Sequence, residues 1–265
     1  MNPVKTAPIT MKSSLLCCML VVAFLQGCAP YRSSKGPMNS VYDTLACRTT
    51  PTTLIVFLPG AYDRPQDFID HGFVSAMRLQ KIYADIQLVD AHTGYYTDQK
   101  ILQRLDSEVI SPARVKGYTR IWFVGISLGG YGTMLHAMNH PKSIDGFFIM
   151  APYMGPRDIS AQIEKQGGLK KWSSEVQGNA DVDLWRWLQG YGTGKTGLPQ
   201  AYLGYGASDR FVQPNGVLAE VLPPGNTFVT PGGHDWPVWQ RLFGSFLTIA
   251  PWPRIESGDF GCKLK

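Results

Sequence analysis

Residues 121–130 of the chain read Ile-Trp-Phe-Val-Gly-Ile-Ser-Leu-Gly-Gly. The apolar, β-branched and aromatic first half is typical of a buried strand, and residues 128–138 have helical composition and no proline. Between them, Gly125 and Gly129 bracket Ser127, and side chains at such flanking glycines would collide with neighbouring backbone. The order strand, tight turn, helix predicts an elbow that carries a nucleophilic serine, Ser127. The alternative is an ordinary strand-to-helix turn that contains a serine.

Segments typical of strands and of helices alternate along the chain on both sides of this elbow. Apolar runs that fit buried strands lie at residues 54–58, 86–89, 121–126, 147–150, 201–205 and 227–229. Helix-like spacing occurs at residues 68–82, 98–110 and 236–249, and Pro112 is expected to end the second helix. This alternation predicts the α/β class with a mostly parallel, doubly wound sheet.

Residues 154–198 interrupt the alternation and predict a small cap insertion over the carboxyl edge of the sheet. The insertion contains Trp172, Trp185 and Trp187. Two interpretations stay open for these aromatic residues. They line an acyl or aryl pocket, or they form the insertion's own core.

A nucleophilic serine needs a base within hydrogen-bond reach. Among the five histidines, His234 is the one that follows both Ser127 and a later strand, in the glycine-rich loop of residues 231–236. His136 and His140 lie on the helix that begins at the elbow, from which a return to the serine is geometrically poor. We therefore predict His234 as the base.

The base needs an acid that fixes its tautomer. Asp209 directly follows the strand at residues 201–205, one strand before the histidine, and is the predicted acid. The alternatives are Asp181 and Asp183 in the insertion, and Asp235, which adjoins His234 and is poorly placed to turn back onto its ring.

An oxyanion hole needs two donors aimed at the charge that develops on the substrate oxygen. We predict the backbone N–H groups of Leu128, which follows the nucleophile, and Ala61, which lies in the loop after the first core strand. Tyr62 is the second choice for the loop donor. Tyr62 and Trp236 are also the predicted substrate-pocket residues.

The amino end has the pattern of a targeting segment, with Lys12 ahead of an apolar run at residues 15–25. The run ends Leu-Gln-Gly-Cys, which resembles a bacterial lipobox and implies cleavage before Cys28 and lipidation of its thiol. We predict a lipoprotein-type signal peptide at residues 1–27, with Met11 as an alternative start. The expected location is the cell envelope, anchored to the periplasmic face of the outer membrane. The alternative is a secreted or periplasmic protein.

Residues 28–46 are then the lipidated cysteine and a flexible tether, and residues 47–265 the catalytic domain with its insertion at 154–198. Cys47 and Cys262 remain near the two ends of that domain. In an oxidising compartment they are a candidate disulfide, and the alternative is two unrelated free thiols.

Composition excludes several other classes of function. The net charge is +5 without any Lys/Arg cluster, so no nucleic-acid partner is expected. The sequence has neither a CxxC nor an HExxH motif, so we expect no metal and no cofactor.

Two motifs resemble a known group of enzymes. Ser-Leu-Gly-Gly-Tyr-Gly at residues 127–132 and Gly-Gly-His-Asp-Trp-Pro-Val-Trp at residues 232–239 are similar to those of the α/β-hydrolase superfamily. Within it the likeness is closest to the esterase D-like esterases, which include S-formylglutathione hydrolases, feruloyl esterases and mycolyltransferases. The resemblance covers residues 54–247, and Asp209 falls where the family carries its acid.

The resemblance implies an α/β-hydrolase fold and cleavage of small-molecule or lipid esters through an acyl-enzyme. One departure is Pro59, which stands before Gly60 where many relatives carry histidine, and it weakens the transfer of any particular substrate. Two alternatives stay open. The same residues would serve an acyltransferase, and a non-catalytic envelope lipoprotein would keep the fold as a binding module.

Overall fold

The sheet confirms the predicted α/β class. A computed structural model describes residues 32–47 and 49–255. Within this part of the chain, seven strands form one sheet in the order β1-β3-β2-β4-β5-β6-β7, in which β1 pairs antiparallel with β3 and every other pair is parallel. The strands are β1 Ser40–Asp43, β2 Thr53–Leu58, β3 Asp85–Val89, β4 Arg120–Ile126, β5 Gly146–Met150, β6 Gln200–Gly206 and β7 Thr227–Thr230.

Helices cover both faces of this sheet. They are α1 Pro65–Asp70, α2 Phe73–Leu79, α3 Thr93–Thr97, α4 Ile101–Leu105, α5 Ser111–Val115, α6 Leu128–Asn139, α7 Arg157–Lys165, α8 Ala180–Gly192, α9 Val212–Ala219 and α10 Trp236–Ile249, with a π-helical turn at Asp106–Ile110. Among the described residues, no helix is both long and apolar enough to cross a membrane.

Strand β2 shows how the two apolar layers arise. Leu54, Val56 and Leu58 point into one layer, which also contains residues of α4, α5, α6 and α8. Ile55 and Phe57 point into the other layer, with residues of α1, α2 and α10. Because successive side chains of a strand point to opposite faces, an uninterrupted apolar run is buried on both sides.

Two predicted helices differ from those observed. The helix expected at residues 68–82 is split into α1 and α2, because Gly72 between them has a φ of 76°. The helix expected at residues 98–110 begins at Ile101 and continues through the π-helical turn to Val115. Pro112 does not end it, because the proline lies in the first turn of α5, where its missing N–H is tolerated.

The predicted flexible tether is wrong for residues 32–46. The Arg32 guanidinium pairs with the Asp90 carboxylate, with Nη1 2.9 Å from Oδ1. The fully buried Ser34 donates its hydroxyl to the Asp98 carboxylate. Residues 40–43 then pair with β3 as an edge strand. Composition suggested a linker, but these polar side chains find partners that lie 58 and 64 residues away in sequence.

The predicted signal peptide at residues 1–27 and the predicted lipidation site, Cys28, lie outside the described residues. Cys47 is disulfide-bonded, and Cys262 lies outside the described residues, so their pairing stays a prediction. Two segments near the ends of the predicted catalytic domain meet at Tyr83. Its hydroxyl donates to Thr49 O at 2.6 Å, and its backbone N–H donates to Pro253 O at 2.7 Å.

The insertion between β5 and β6 contains α7 and α8. Trp172, Trp185 and Trp187 are 4%, 0% and 8% exposed and belong to the apolar layer that contains Leu54. Of the two interpretations left open, these tryptophans fit the second, because they are core residues. That core is shared with the sheet and is not the insertion's own. The insertion is therefore packed on the domain through its tryptophans.

Candidate active site

The elbow places Ser127 at the carboxyl end of β4. Its φ of 51° and ψ of −112° are strained for a residue with a side chain, and α6 begins at the next residue. A methyl group on Gly125 would lie 2.5 Å from Gly129 O, and one on Gly129 would lie 2.1 Å from Leu58 O. Both positions therefore need glycine for the chain to make this turn.

The structure brings the three predicted triad residues together. His234 Nε2 lies 3.0 Å from Ser127 Oγ, and His234 Nδ1 lies 2.8 Å from Asp209 Oδ2. The Asp209 side chain is fully buried, and its Oδ1 accepts the Phe211 N–H at 2.7 Å. Asp209 follows β6 and His234 follows β7, so neighbouring parallel strands deliver both groups to the same edge of the sheet as the serine.

The alternative acids are engaged elsewhere. The carboxylate of Asp235 accepts the Val238 N–H at 3.1 Å and caps α10. Asp181 Oδ1 accepts the Tyr131 hydroxyl at 2.7 Å, and Asp183 forms an ion pair with Arg186 on its own helix. These contacts leave Asp209 as the carboxylate that contacts the imidazole.

Two aromatic rings hold the imidazole edge-on. The ring centroid of His234 lies 5.2 Å from those of Phe211 and Trp239, at interplanar angles of 89° and 88°. The imidazole is about a tenth exposed. Its orientation is thus fixed by packing as well as by its two hydrogen bonds.

A cavity of about 160 Å³ opens onto the serine and the histidine. Its lining residues are Gly60, Ala61, Tyr62, Asp63, Ser127, Arg210, His234 and Trp239. Tyr62 is one of these lining residues and is 80% exposed, and its contact with a substrate stays a prediction.

The predicted pocket residue Trp236 does not line this cavity. Its ring stacks on His71, with centroids 4.3 Å apart, and packs edge-on against Phe68 and Phe73. Trp239, almost one helical turn later, lines the cavity instead. The sequence offered two tryptophans at the start of α10, and its periodicity did not show which one faces the serine.

The predicted oxyanion donors lie on the two sides of the nucleophile. Leu128 is the first residue of α6, so its N–H belongs to the first turn, where amides have no carbonyl partner within the helix. Ala61 lies in the loop between β2 and α1 and lines the cavity. Their role as donors stays a prediction.

Sequence reasoning missed two charged residues of the cavity, Asp63 and Arg210. Partial burial raises the pKa of the Asp63 carboxyl, and the negative charge of Asp67 raises it further. Arg210 lies over the Phe211 ring, 5.0 Å from its centroid. Asp63 lies two residues after Ala61, the predicted oxyanion donor, which was the available signal. The described residues contain no group of three or more His, Cys, Asp or Glu side chains that could hold a metal ion.

Comparisons with known proteins support the fold. The chain matches no protein-family model and no curated protein. An S-formylglutathione hydrolase from Staphylococcus aureus is 13% identical, with a TM-score of 0.59 over 80% of this chain and 92% of that one. A ferulic acid esterase is 14% identical, with a TM-score of 0.51 over 80% and 98%. A monoacylglycerol lipase from Paleococcus ferrophilus is 13% identical, with a TM-score of 0.51 over 81% and 99%.

Likeness at these identities shows the fold alone. Together with the strand order and the elbow at the end of β4, it shows that the chain has the α/β-hydrolase fold.

Proposed function

We propose that the protein is a serine hydrolase that cleaves carboxylic esters through an acyl-enzyme. The observation that carries the proposal is the continuous hydrogen-bonded chain from Ser127 through His234 to the buried Asp209, open to a cavity at the serine. The structural neighbours are named as an S-formylglutathione hydrolase, a ferulic acid esterase and a monoacylglycerol lipase, and all three names denote ester or thioester hydrolysis.

The first half of the reaction forms the acyl-enzyme. Ser127 Oγ attacks the ester carbonyl while His234 Nε2 takes its proton, and Asp209 stabilises the imidazolium that results. The backbone N–H groups of Leu128 and Ala61 stabilise the oxyanion, and removal of one such donor typically costs about 10²–10³-fold in turnover. His234 then protonates the leaving alcohol as the tetrahedral intermediate collapses.

The second half repeats these steps with water. His234 takes a proton from a water molecule that attacks the acyl carbonyl, and then returns a proton to Ser127 Oγ as the acid leaves. In both halves of the reaction, side chains of this protein carry out every proton transfer. The cavity is smaller than the roughly 300–1,000 Å³ of typical ligand pockets, so we assign it a small-molecule ester rather than a bulky one.

Fluorophosphonate labelling with mass-spectrometric mapping tests the nucleophile. We expect a stoichiometric adduct on Ser127, no adduct in Ser127→Ala, and ester hydrolysis at least about 10⁴-fold lower in that variant. Ser143→Ala is the matched control, because Ser143 is another serine with a histidine partner. Its labelling and hydrolysis should equal those of the wild type. An unlabelled wild-type protein that is folded would favour the binding-module alternative.

We also propose that Cys28 carries a lipid that anchors the protein in the cell envelope. The support is the pattern at residues 11–28, a basic start, a short apolar run and the Leu-Gln-Gly-Cys ending. Metabolic labelling of the full chain with an alkyne fatty acid should mark the wild type and leave Cys28→Ser unmarked. Equal labelling of the two proteins would contradict the proposal.

A further inference from the structure

Arg210 lines the catalytic cavity, yet the mechanism above gives it no role. The residue lies in the cavity wall together with Ser127 and His234. It directly follows Asp209, so the strand that delivers the triad acid also brings this arginine to the site. Of the residues that line the cavity, Arg210 is the one with a permanent positive charge.

An aromatic ring holds the guanidinium of Arg210 near the catalytic base. The central guanidinium carbon lies over the Phe211 ring, 5.0 Å from its centroid. That ring packs edge-on against His234 and Tyr153, with centroid distances of 5.2 Å and 5.8 Å. Because a cation is attracted to the face of an aromatic ring, the charge is held next to the packing partner of the imidazole.

Within the described part of the chain, the Arg210 charge has no ion-pair partner, since none of the ion pairs within 4.0 Å includes it. Asp63 lines the same cavity, but its carboxylate lies beside Gly60, where a methyl group built on the glycine would collide with Oδ2. Asp209 is engaged by His234. The guanidinium is therefore available to a group that enters the cavity.

A second arginine contacts the same segment. Arg157 Nη2 donates to Arg210 O at 2.8 Å, and Arg157 is absent from the ion pairs of the described residues as well. Arg157 is the first residue of α7 in the insertion, so two distant parts of the chain bring positive charge to this region. Unpaired positive charge beside a cleft raises the local concentration of anions.

We propose that the substrate is an ester with a carboxylate a few atoms from its ester bond, and that Arg210 binds this carboxylate. The inference rests on the proposed ester hydrolysis and names its substrate class. A guanidinium and a carboxylate form two parallel hydrogen bonds in a planar arrangement, which gives arginine its selectivity for this group. The Asp63 carboxylate disfavours a second carboxylate beside Gly60, so the anionic group is directed towards Arg210.

Two pairs of short esters test this inference, and within each pair a carboxamide replaces the carboxylate at nearly the same shape. Ethyl hydrogen succinate and ethyl succinamate differ in the acyl part, whereas O-butyryl glycolate and O-butyryl glycolamide differ in the alcohol part. In at least one pair, the wild type should hydrolyse the carboxylate ester with a kcat/KM about tenfold higher, after division by the uncatalysed rate. The pair that shows the preference identifies the charged half of the substrate. Equal values within both pairs would overturn the inference.

Arg210→Gln removes the charge and keeps most of the side-chain length. The ratio of kcat/KM for the carboxylate ester to that for the carboxamide should fall about 10–100-fold, and Arg210→Lys should retain part of it, because an ammonium keeps the charge without the planar fork. Arg120→Gln is the matched control. Arg120 is an exposed arginine at the amino end of β4, opposite to Ser127, so this variant should keep the wild-type ratio. A wild-type ratio in Arg210→Gln would contradict the proposal.

The ratio separates carboxylate binding from other roles of Arg210. A purely structural role, or stabilisation of the oxyanion by its charge, would change both esters of a pair by the same factor and leave the ratio constant. A salt series needs no variant and applies even if Arg210→Gln does not fold. Because salt screens exposed charges, raising NaCl from about 0.02 M to about 0.5 M should lower the wild-type ratio several-fold. A ratio that does not respond to salt would count against the proposal.

Fluorophosphonate labelling separates this inference from the proposed function. A folded wild-type protein that does not label contradicts the proposed function itself. A wild-type protein that labels on Ser127 and hydrolyses both members of each pair equally well contradicts the role of Arg210 alone.

Discussion

Two serine–histidine pairs lie at opposite ends of helix α6. Ser127 precedes the helix and contacts His234 at 3.0 Å, whereas Ser143 follows it and contacts His136 Nε2 at 2.8 Å. By contact distance alone the second pair is the better candidate for a catalytic dyad. The surroundings of the two histidines show that it is not one.

The pair of His136 and Ser143 lacks two features of the first pair: a carboxylate that contacts the histidine and a cavity that opens onto it. The Ser143 hydroxyl donates its one hydrogen to His140 O at 2.8 Å, so His136 must donate to Ser143 and cannot act as its base. Its other nitrogen, Nδ1, is buried without a hydrogen-bond partner among the described residues. His136 is fully buried against the Phe123 ring. Under the proposed function, a carboxylate partner and an open cavity distinguish the histidine that acts as a base, and a short distance to a serine does not.

The largest effect that tests this comparison comes from Asp209. In Asp209→Asn the shape is preserved, but the amide can donate to Nδ1 and so favours the tautomer in which Nε2 carries the proton. We expect kcat to fall about 10³–10⁴-fold with little change in stability, measured as steady-state hydrolysis of a soluble ester. The variant would then resemble the His136 pair, with a serine and a histidine in contact and no base. Hydrolysis within tenfold of the wild type would show that Asp209 is not the triad acid.

A smaller effect concerns the pH dependence of stability at His136. Burial, followed by the neighbouring His140, lowers the pKa of His136 from 6.5 to about 4. The unfolded state therefore binds a proton below pH 6.5 that the folded state binds only near pH 4, and stability falls as the pH falls through this window. Between pH 7 and pH 5 the loss from this residue alone should be about 2 kcal/mol.

Urea unfolding of the wild type and His136→Gln at the two pH values measures this contribution. The wild type should lose about 2 kcal/mol more than the variant on going from pH 7 to pH 5. His140→Gln is the matched control, since that residue is exposed and should not remove the dependence. Parallel losses in the wild type and in His136→Gln would mean that His136 is not held neutral by burial.

Much of the fold was predictable because its signals are local. Runs such as Leu54–Leu58 are apolar at every position, which fits strands covered on both faces, and Ser127, Asp209 and His234 each follow a predicted strand. Chain order and the geometry of a parallel sheet were then enough to bring those residues together in the structure.

What could not be predicted depends on contacts between distant parts of the chain. The edge strand β1 directly follows a stretch with linker composition, and its place depends on pairing with β3. Trp236 and Trp239 are both tryptophans in the first turn of α10. The orientation of that helix about its own axis decides which of the two rings lines the cavity. Asp63 looked like an ordinary residue ahead of a helix, because the cavity that it lines is formed with Ser127 and His234, which lie far along the chain.

The packing of the insertion also determines how a substrate would reach the serine. Its tryptophans are buried against the sheet, the Arg157 side chain bonds to Arg210 O at 2.8 Å, and no residue of the insertion lines the cavity at Ser127. A lid that opens at a lipid–water interface needs a segment that covers the nucleophile and is free to swing away, and this insertion is neither. Under the proposed function, dissolved monomeric esters would therefore be turned over without interfacial activation.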